Sequence, residues 1–290
     1  LDQVGPITRT VEDAALLLQV IAAPDERDST CTRREPDDYA AALAGPVKGL
    51  TFGLPREFFI QGGLDGEVAA ALEEARREFE RLGVRFTDVS LPHSGIDMEG
   101  GKLSSFAVAC YYIVCTAEAS SNLARYDGVK YGHRSEGHAD MIGMYSKTRG
   151  EGFGDEVKRR IMLGTYALSS GYYDAYYLKA ARVRRLIKED FDRAFEQVDL
   201  LFGPTSPTPA FKIGEKTEDP LEMYLNDVFT IPCDLAGNCG ISLPCGFTDG
   251  SLPIGMQLMG THWDEAALLR AGAAYQRETD WHLRMPHPPA

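Results

Sequence analysis

Two side chains in the sequence are suited to holding the charged ends of a small zwitterion. Arg160 lies one position from the apolar stripe of an amphipathic segment and could point inwards, where a guanidinium group binds a carboxylate through two parallel hydrogen bonds. Asp227 could accept a hydrogen bond from an ammonium group. Each residue also has a structural interpretation, a salt bridge for Arg160 and a helix-terminal cap for Asp227. From the residues alone the salt bridge is preferred, and the spacing leaves the role of Asp227 undecided.

Nucleophilic catalysis has weaker support in the sequence. Adjacent serines occur without an obvious base beside them, and a serine hydroxyl is a weak nucleophile unless a base activates it. Capping or packing is therefore the preferred interpretation of these pairs, which are Ser104 and Ser105, Ser120 and Ser121, and Ser169 and Ser170. The sequence contains no Gly-x-Ser-x-Gly, Walker A or His-Glu-x-x-His motif, which argues against the enzyme classes that depend on them.

The other polar motifs do not predict a metal or phosphate site. His133 and His138 are five residues apart in a Gly-containing loop, a spacing that does not impose metal geometry. Residues 150–154, Gly-Glu-Gly-Phe-Gly, lack the preceding strand of a phosphate-binding loop, so we predict a flexible loop there. The six cysteines form no Cys-x-x-Cys pair, and we expect buried, reduced thiols.

The composition is that of an acidic globular protein. The chain has 290 residues, of which 44% are hydrophobic, and a net charge of −13. Binding to nucleic acid needs clustered lysine and arginine, so this charge argues against a nucleic-acid surface. No run of 18 apolar residues predicts a transmembrane helix. The first residues, Leu-Asp-Gln-Val-Gly-Pro, match neither a signal peptide nor an ordinary start, and we expect the chain to begin within a longer protein or after processing.

A long helix followed by a short strand is the element around which the chain is organised. Apolar residues at spacings of three or four between residues 176 and 198 predict one amphipathic helix. Residues 200–202, Leu-Leu-Phe, follow as a buried strand, because the prolines close behind them prevent further ladder bonding. Such a strand delivers a loop to the end of a sheet, where open α/β proteins bind ligands.

The other periodic segments predict an α/β fold. Residues 49–55 and 84–89 are predicted strands on either side of an amphipathic helix, which makes a parallel strand–helix–strand unit. Residues 241–245 and 254–259 are predicted antiparallel strands around Asp249-Gly250. Further helices are predicted at residues 14–23, 105–119, 220–227 and 264–279, and an exposed Gly-rich excursion at residues 97–102.

Four stretches resemble one branch of the amidase-signature family, the glutaminase (A) subunits of bacterial-type glutamyl-tRNA(Gln)/aspartyl-tRNA(Asn) amidotransferases. The stretches are residues 1–14, 119–128, 159–174 and 226–230. The resemblance runs over nearly the whole chain. The sequence Ser-Ser-Asn-Leu-Ala-Arg-Tyr-Asp-Gly, within residues 119–128, is the part that separates this branch from general amidases.

This resemblance implies an α/β fold with a mixed β-sheet covered by α-helices. Residues 1–290 would form the carboxyl-terminal portion of a single amidase-signature domain. The implied enzyme is a cytoplasmic heterotrimer, in which this subunit hydrolyses glutamine and the B subunit uses ATP and Mg²⁺ to convert Glu-tRNA(Gln) or Asp-tRNA(Asn) with the released ammonia. The C subunit completes the complex, and tRNA is bound only through the partner. The family's Ser–cis-Ser–Lys triad lies upstream of its Leu-Asp-Gln-x-Gly-Pro segment, so we expect no catalytic residue in this chain and no activity from it alone.

The resemblance also implies roles for individual residues. Arg160 matches the arginine that holds the substrate carboxylate, Asp227 the aspartate that holds the α-ammonium group, and Tyr111 a tyrosine that lines the pocket. We expect no metal ligand and no cofactor in this chain. The sequence departs from the family at residues 234–239, where Asp-Leu-Ala-Gly-Asn-Cys replaces the usual Asn-Leu-Ala-Gly-Leu-Pro, and in the length of the excursion at residues 97–102.

Two other functions remain open from the sequence. The chain could belong to a different amidase-signature hydrolase that acts on a free amide, or it could be a non-catalytic remnant that binds an amino acid or a partner. A Gly-Gly-Ser signature with a lysine upstream would favour an enzyme, and its absence would favour a binding protein.

Overall fold

The computed structural model describes Leu1 and residues 3–99, 102–215, 223–249 and 251–286. These residues form two compact units. The helical unit comprises Leu1 and Ala109–Arg185. The sheet unit comprises Gln3–Val108 and the described residues from Leu186 onward.

The strands of the sheet unit confirm the predicted α/β fold with a mixed sheet. They are β1 (Thr51–Pro55), β2 (Arg85–Val89), β3 (Ile96–Glu99), β4 (Lys102–Ser105), β5 (Leu200–Pro204), β6 (Cys239–Phe247) and β7 (Pro253–Gly260). Five of them form one sheet in the order β2-β1-β5-β7-β6. In that sheet β1 is parallel to β2 and β5, and β7 is antiparallel to β5 and β6.

The α-helices are α1 (Val11–Ile21), α2 (Tyr39–Ala42), α3 (Gly66–Arg81), α4 (Phe106–Asn122), α5 (Met141–Gly152), α6 (Asp155–Ala167), α7 (Lys179–Phe195), α8 (Ile231–Ala236) and α9 (Glu265–Glu278). A π-helix at Tyr173–Leu178 precedes α7, and short 3₁₀ helices occupy Arg56–Phe58, Pro92–Ser94, Leu123–Arg125, Leu225–Asp227 and Trp281–Leu283. No helix in the described part of the chain is both long and apolar enough to cross a membrane.

The predicted strand–helix–strand unit is confirmed as β1–α3–β2. Asp65 begins α3, because its side chain accepts a hydrogen bond from the Glu67 amide, and Gly83 after its end has a positive φ of 88°. The apolar face of α3, including Leu72 and Phe79, is buried. This face packs into the main hydrophobic core and so joins the helix to the sheet.

The strand β5 is buried along its whole length, as its apolar sequence predicts. It runs two residues beyond the predicted end at Phe202, because Gly203 and Pro204 still pair with β7 although Pro204 has no amide hydrogen to donate. Its Phe202 ring packs edge-on against the ring of Phe79, which also stacks on Tyr275 of α9. Burying aromatic side chains of this size removes much apolar surface from water and fixes β5 in the centre of the sheet. The loop after Pro204 therefore leaves from a rigid strand.

One local prediction was incomplete and one was wrong. In the excursion predicted at residues 97–102, residues 97–99 and 102 belong to the antiparallel strands β3 and β4, and Gly100 and Gly101 lie outside the described residues. Residues 150–152 are the end of α5, not a flexible loop, because the Asp140 side chain caps its first turn and the helix continues through the glycines. The predicted start of a helix at Asp219-Pro220 and the turn residue Gly250 lie outside the described residues.

One buried side chain conflicts with its surroundings, and this gives a prediction for stability. Asn238, between α8 and β6, is 6% exposed, and both polar atoms of its side chain lack a hydrogen-bond partner in the described structure. Replacing Asn238 with leucine, the residue usual in the resembling family, should raise the free energy of unfolding by about 1–3 kcal/mol, because an unpaired buried amide is removed. Urea unfolding measures the change, with Asn238→Asp as a destabilising control. A leucine variant no more stable than the parent would contradict this account.

Candidate substrate-binding residues

Arg160 lies on α6 with its guanidinium group half-buried. Its Nε donates a hydrogen bond to Glu156 Oε1 at 3.1 Å, and the side chain keeps 30% of its surface exposed. The guanidinium carbon lies 5.7 Å from the centre of the Tyr112 ring of α4, a cation–π contact. The salt bridge predicted as the structural interpretation is therefore present, and it engages one edge of the guanidinium group.

The other edge of the Arg160 fork remains available. Its Nη1 and Nη2 atoms make no hydrogen bond to any described residue. Burial lowers the pKa of Arg160, whereas the hydrogen bond to Glu156 and the nearby Cys115 and Tyr112 raise it, and the net shift is upwards. The group stays cationic and presents two parallel donors, which is the geometry that a carboxylate accepts.

The position of Arg160 depends on a close approach of α6 to α4 at Gly164. A Cβ atom added to Gly164 would lie 1.9 Å from the Thr116 carbonyl oxygen and 2.8 Å from Ser120 Oγ. Only glycine fits at that distance. The two helices therefore meet backbone to backbone one turn from Arg160, which places its side chain over Tyr112.

Tyr111 and Tyr112 are adjacent on α4 and differ in what they contact. Their rings pack edge to face with centres 5.3 Å apart, and both are half-buried. Tyr112, not Tyr111, lies under the Arg160 guanidinium. Sequence reasoning missed Tyr112, although its place in an aromatic pair on a predicted helix was visible. The pocket role expected for Tyr111 stays a prediction.

Asp227 ends the 3₁₀ helix Leu225–Asp227 in the sheet unit. Its side chain is exposed, but surrounding protein atoms displace enough water to raise its pKa. Within the described residues its carboxylate has no hydrogen-bond donor or ion-pair partner. Its backbone oxygen accepts hydrogen bonds from the amide and the hydroxyl of Thr230 at 3.1 Å. The carboxylate is thus an acceptor without a donor on a segment whose backbone is fixed.

A cavity of about 250 Å³ lies beside this segment at the carboxyl end of β5. The cavity is lined in part by three hydroxyl residues of the loop after β5, Thr205, Ser206 and Thr208. Asn226, which precedes Asp227, also lines it. This is the end of the sheet at which the sequence predicted a ligand site. Arg160 and Tyr111 belong to the helical unit, and Asp227 to the sheet unit.

At least one serine of each pair donates a side-chain hydrogen bond to a backbone carbonyl, which fits the structural interpretation. Ser105 Oγ donates to the Ser94 carbonyl, Ser120 and Ser121 to that of Ala117, and Ser169 to that of Tyr166. His133 contacts Glu151 at 3.1 Å. No group of three or more histidine, cysteine, aspartate or glutamate residues in the described ranges is arranged to hold a metal ion.

The six cysteines are free thiols, and three of them, Cys110, Cys233 and Cys245, are buried. Burial raises the pKa of Cys110 to about 11 and that of Cys245 to about 12. These two thiols stay protonated at neutral pH and are poor nucleophiles. The expectation of buried, reduced cysteines is confirmed for these three residues, whereas the other three are half-buried.

The amidase family model matches residues 1–269. The chain belongs to the amidase family. Among its amidase relatives, it is 58% identical to the A subunit of glutamyl-tRNA(Gln) amidotransferase from Geobacter metallireducens over 98% of this chain and 56% of that protein. The same protein of Myxococcus xanthus is also 58% identical, with the same coverage. The chain therefore spans about half the length of the curated relatives it matches.

Solved structures agree with this amidase fold. The crystal structure of the A subunit of glutamyl-tRNA(Gln) amidotransferase from Thermotoga maritima matches with a TM-score of 0.73 and 38% identity, over 96% of this chain and 53% of that one. A bacterial aryl acylamidase of the amidase-signature family matches with a TM-score of 0.68 and 24% identity, over 96% of this chain and 53% of that one. The second likeness shows a shared fold alone.

Proposed function

We propose that this chain is the glutamine-recognition portion of the glutaminase subunit of a tRNA-dependent amidotransferase. The observation that carries the proposal is the 58% identity, over 98% of the chain, to proteins named as the A subunit of glutamyl-tRNA(Gln) amidotransferase. In the complete enzyme, ammonia released from glutamine is used in an ATP-dependent conversion of Glu-tRNA(Gln) to Gln-tRNA(Gln), or of Asp-tRNA(Asn) to Asn-tRNA(Asn).

Three residues of this chain bind the substrate in this proposal. Arg160 holds the α-carboxylate of glutamine with the Nη edge that makes no hydrogen bond to the described protein. Asp227, whose carboxylate lacks a donor among the described residues, accepts the α-ammonium group. Tyr111 lines the pocket. Recognition of both charged groups on the α-carbon of the substrate selects an amino acid over a simple amide.

The chemical step requires groups from outside these residues. Glutamine hydrolysis by acyl transfer needs an activated nucleophile, and the serines 105, 120, 121 and 169 instead donate to backbone carbonyls. We assign the nucleophile and its activating groups to the Ser–cis-Ser–Lys signature of the family, which lies upstream of the Leu-Asp-Gln-x-Gly-Pro segment. ATP and Mg²⁺ are assigned to the partner subunit, and no cofactor is assigned to this chain.

The proposed partners are the B and C subunits of the amidotransferase, in the cytoplasm, with tRNA bound only through the B subunit. The net charge of −13 supports this division, because it repels a polyanion. The densest basic segment, residues 182–188, is partly neutralised by its own surroundings. Lys188 pairs with Asp192 at 2.7 Å and Arg184 with Glu118 at 3.4 Å.

The first test is ammonia release from glutamine. The purified chain should release no ammonia above background, because binding without a nucleophile does not lower the barrier to amide cleavage. Adding the remaining part of the Geobacter metallireducens protein as a second polypeptide should produce glutamine-dependent release. A Ser120→Ala variant serves as control and should behave like the parent.

Two outcomes of that assay would contradict the proposal. Release by the chain alone that is lost in the Ser120→Ala variant would place the nucleophile in this chain. An assembled pair that hydrolyses simple amides but not glutamine would instead identify a different amidase-signature hydrolase.

A further inference from the structure

A buried amide side chain links the segment that carries Asp227 to the central sheet. Gln257 lies on β7 and is 5% exposed. Its Nε2 atom donates one hydrogen bond to the carbonyl oxygen of Pro204 and another to that of Phe229, both at 2.8 Å. Both hydrogens of the amide nitrogen are therefore used, and they join two segments far apart in the sequence.

The orientation of this amide follows from its partners. Two carbonyl oxygens face the same atom of Gln257, so that atom must be the nitrogen, since an oxygen there would leave three acceptors together. Buried hydrogen bonds of this kind are costly to remove, because each carbonyl would lose the donor that Gln257 supplies. The link is thus specific for a side chain that ends in two donors and reaches both carbonyls.

The segment around Asp227 is attached at two points on either side of that residue. Ser206 Oγ donates to the carbonyl of Asn226 at 3.3 Å, immediately before Asp227. Gln257 holds the carbonyl of Phe229, two residues after it. Both attachments lead to the carboxyl end of β5, where Pro204 is the last residue of the strand.

Packing reinforces the attachment on the Phe229 side. Val228 and Phe229 are fully buried, and the Phe229 ring lies 5.3 Å from that of Phe58. Asp227, next to them, is exposed. The buried residues fix the backbone, and the exposed carboxylate projects from a rigid support and not from a free loop.

We propose that Gln257 is the positioning residue for Asp227, which it fixes at the carboxyl end of β5 so that the carboxylate meets the α-ammonium group of the substrate. The inference rests on the proposed function, because it assumes that Asp227 binds that group. Gln257 acts through the backbone and does not touch the substrate. It therefore sets the preference for an α-amino acid over the corresponding amide without an amino group.

The test compares two substrates in the complete amidotransferase assembled with this chain. Glutamine carries the α-ammonium group, and glutaramate, its analogue without the amino group, does not. A Gln257→Met variant keeps the length of the side chain and loses both donors. We expect it to lower the ratio of kcat/KM for glutamine to that for glutaramate on the order of tenfold, mostly through KM, with a much smaller change for glutaramate.

Gln276→Met is the matched control. Gln276 also links two backbone segments of the sheet unit, because its Oε1 accepts from the Val11 amide at 2.8 Å and its Nε2 donates to the Arg9 carbonyl at 3.4 Å. Its loss should lower stability and leave the substrate ratio unchanged. The double variant Asp227→Asn with Gln257→Met should have the same ratio as Asp227→Asn alone, because the two residues act on one contact.

If the Gln257→Met variant lowers kcat/KM equally for glutamine and glutaramate, the inference is overturned. Gln257 would then contribute only to the stability of the fold. If Gln257→Met does not fold, Gln257→Asn decides, since the shorter amide cannot reach both carbonyls. A ratio equal to that of the parent enzyme in the Gln257→Asn variant also overturns the inference.

Hydrogen exchange at the Val228 and Thr230 amides measures the attachment of this segment independently of enzyme activity. The exchange should be faster in the Gln257 variants than in the parent. A parent enzyme that does not prefer glutamine to glutaramate contradicts the proposed function, whereas unchanged exchange contradicts the positioning role.

Discussion

Replacing Gly164 with alanine is expected to lower the free energy of unfolding of the helical unit by about 3 kcal/mol, at the upper end of typical overpacking costs. The added methyl group would lie 1.9 Å from the Thr116 carbonyl oxygen, so the backbones of α4 and α6 must separate. That movement shifts Arg160, one turn away, relative to Tyr112. Glutamine binding by the assembled enzyme should therefore weaken together with stability. Urea unfolding and the KM for glutamine measure the two effects.

Gly150→Ala is the matched control for this prediction. Gly150 is also helical, in α5 of the same unit, and an added Cβ atom meets no other atom within 4 Å. Alanine is favoured over glycine in a helix by roughly 0.5–1 kcal/mol, so this variant should be slightly more stable. A Gly164→Ala protein as stable as the Gly150→Ala protein would contradict the close helix contact.

Replacing Arg160 with lysine in the complete enzyme should raise the KM for glutamine and leave the melting temperature nearly unchanged. A planar guanidinium group binds a carboxylate through two parallel hydrogen bonds, and an ammonium group cannot. The substitution should therefore lose roughly 1.5–3 kcal/mol of charge-assisted hydrogen bonding. This loss corresponds to a rise in KM on the order of tenfold to a hundredfold. Lysine preserves the charge and can still approach Glu156. The fold therefore loses little.

The neighbouring residue provides the control for Arg160. Arg159 also pairs with Glu156, at 2.8 Å, and is more exposed, at 56%. Arg159→Lys should change neither the KM nor the stability, because an exposed ion pair contributes about 1 kcal/mol or less. A lower melting temperature with an unchanged KM in Arg160→Lys would mean that the Arg160–Glu156 pair is structural.

Local patterns in the sequence were sufficient to predict the helices and strands that have clear periodicity or capping residues. The apolar stripe of α7 followed from its spacing, and the buried strand β5 from its apolar sequence, although pairing with β7 extends that strand to Pro204. The helix predicted at residues 14–23 is observed as α1, which Thr10 caps, since its hydroxyl accepts a hydrogen bond from the Asp13 amide. Asp264 begins α9 at the predicted position, but its side chain makes no capping hydrogen bond.

The elements that were missed have weak local signals. The hairpin of β3 and β4 has a polar, Gly-containing sequence that fits a loop equally well, and only its pairing makes it a sheet. The glycines of residues 150–152 lower helix propensity, but tertiary packing and the Asp140 cap outweigh that preference.

Some residues of the candidate site could be predicted from the sequence and others could not. Arg160 and Asp227 were identified because their residue types fit charged groups of a ligand and because the flanking motifs resemble a family. Gln257 was not identified from the sequence, since a single polar residue in an apolar strand gives no indication of which carbonyl groups its side chain will contact. Gly164 was missed for a related reason, because the contact that requires glycine lies on another helix. Both roles arise from contacts distant in the sequence.

A crystal structure of the complete enzyme with glutamine bound would show directly whether Arg160 and Asp227 hold the substrate. We expect the α-carboxylate within about 3.2 Å of Arg160 Nη1 and Nη2 and the α-ammonium group within the same distance of the Asp227 carboxylate. Glutamine bound with its charged groups on other residues, with Arg160 still held only by Glu156, would contradict this expectation.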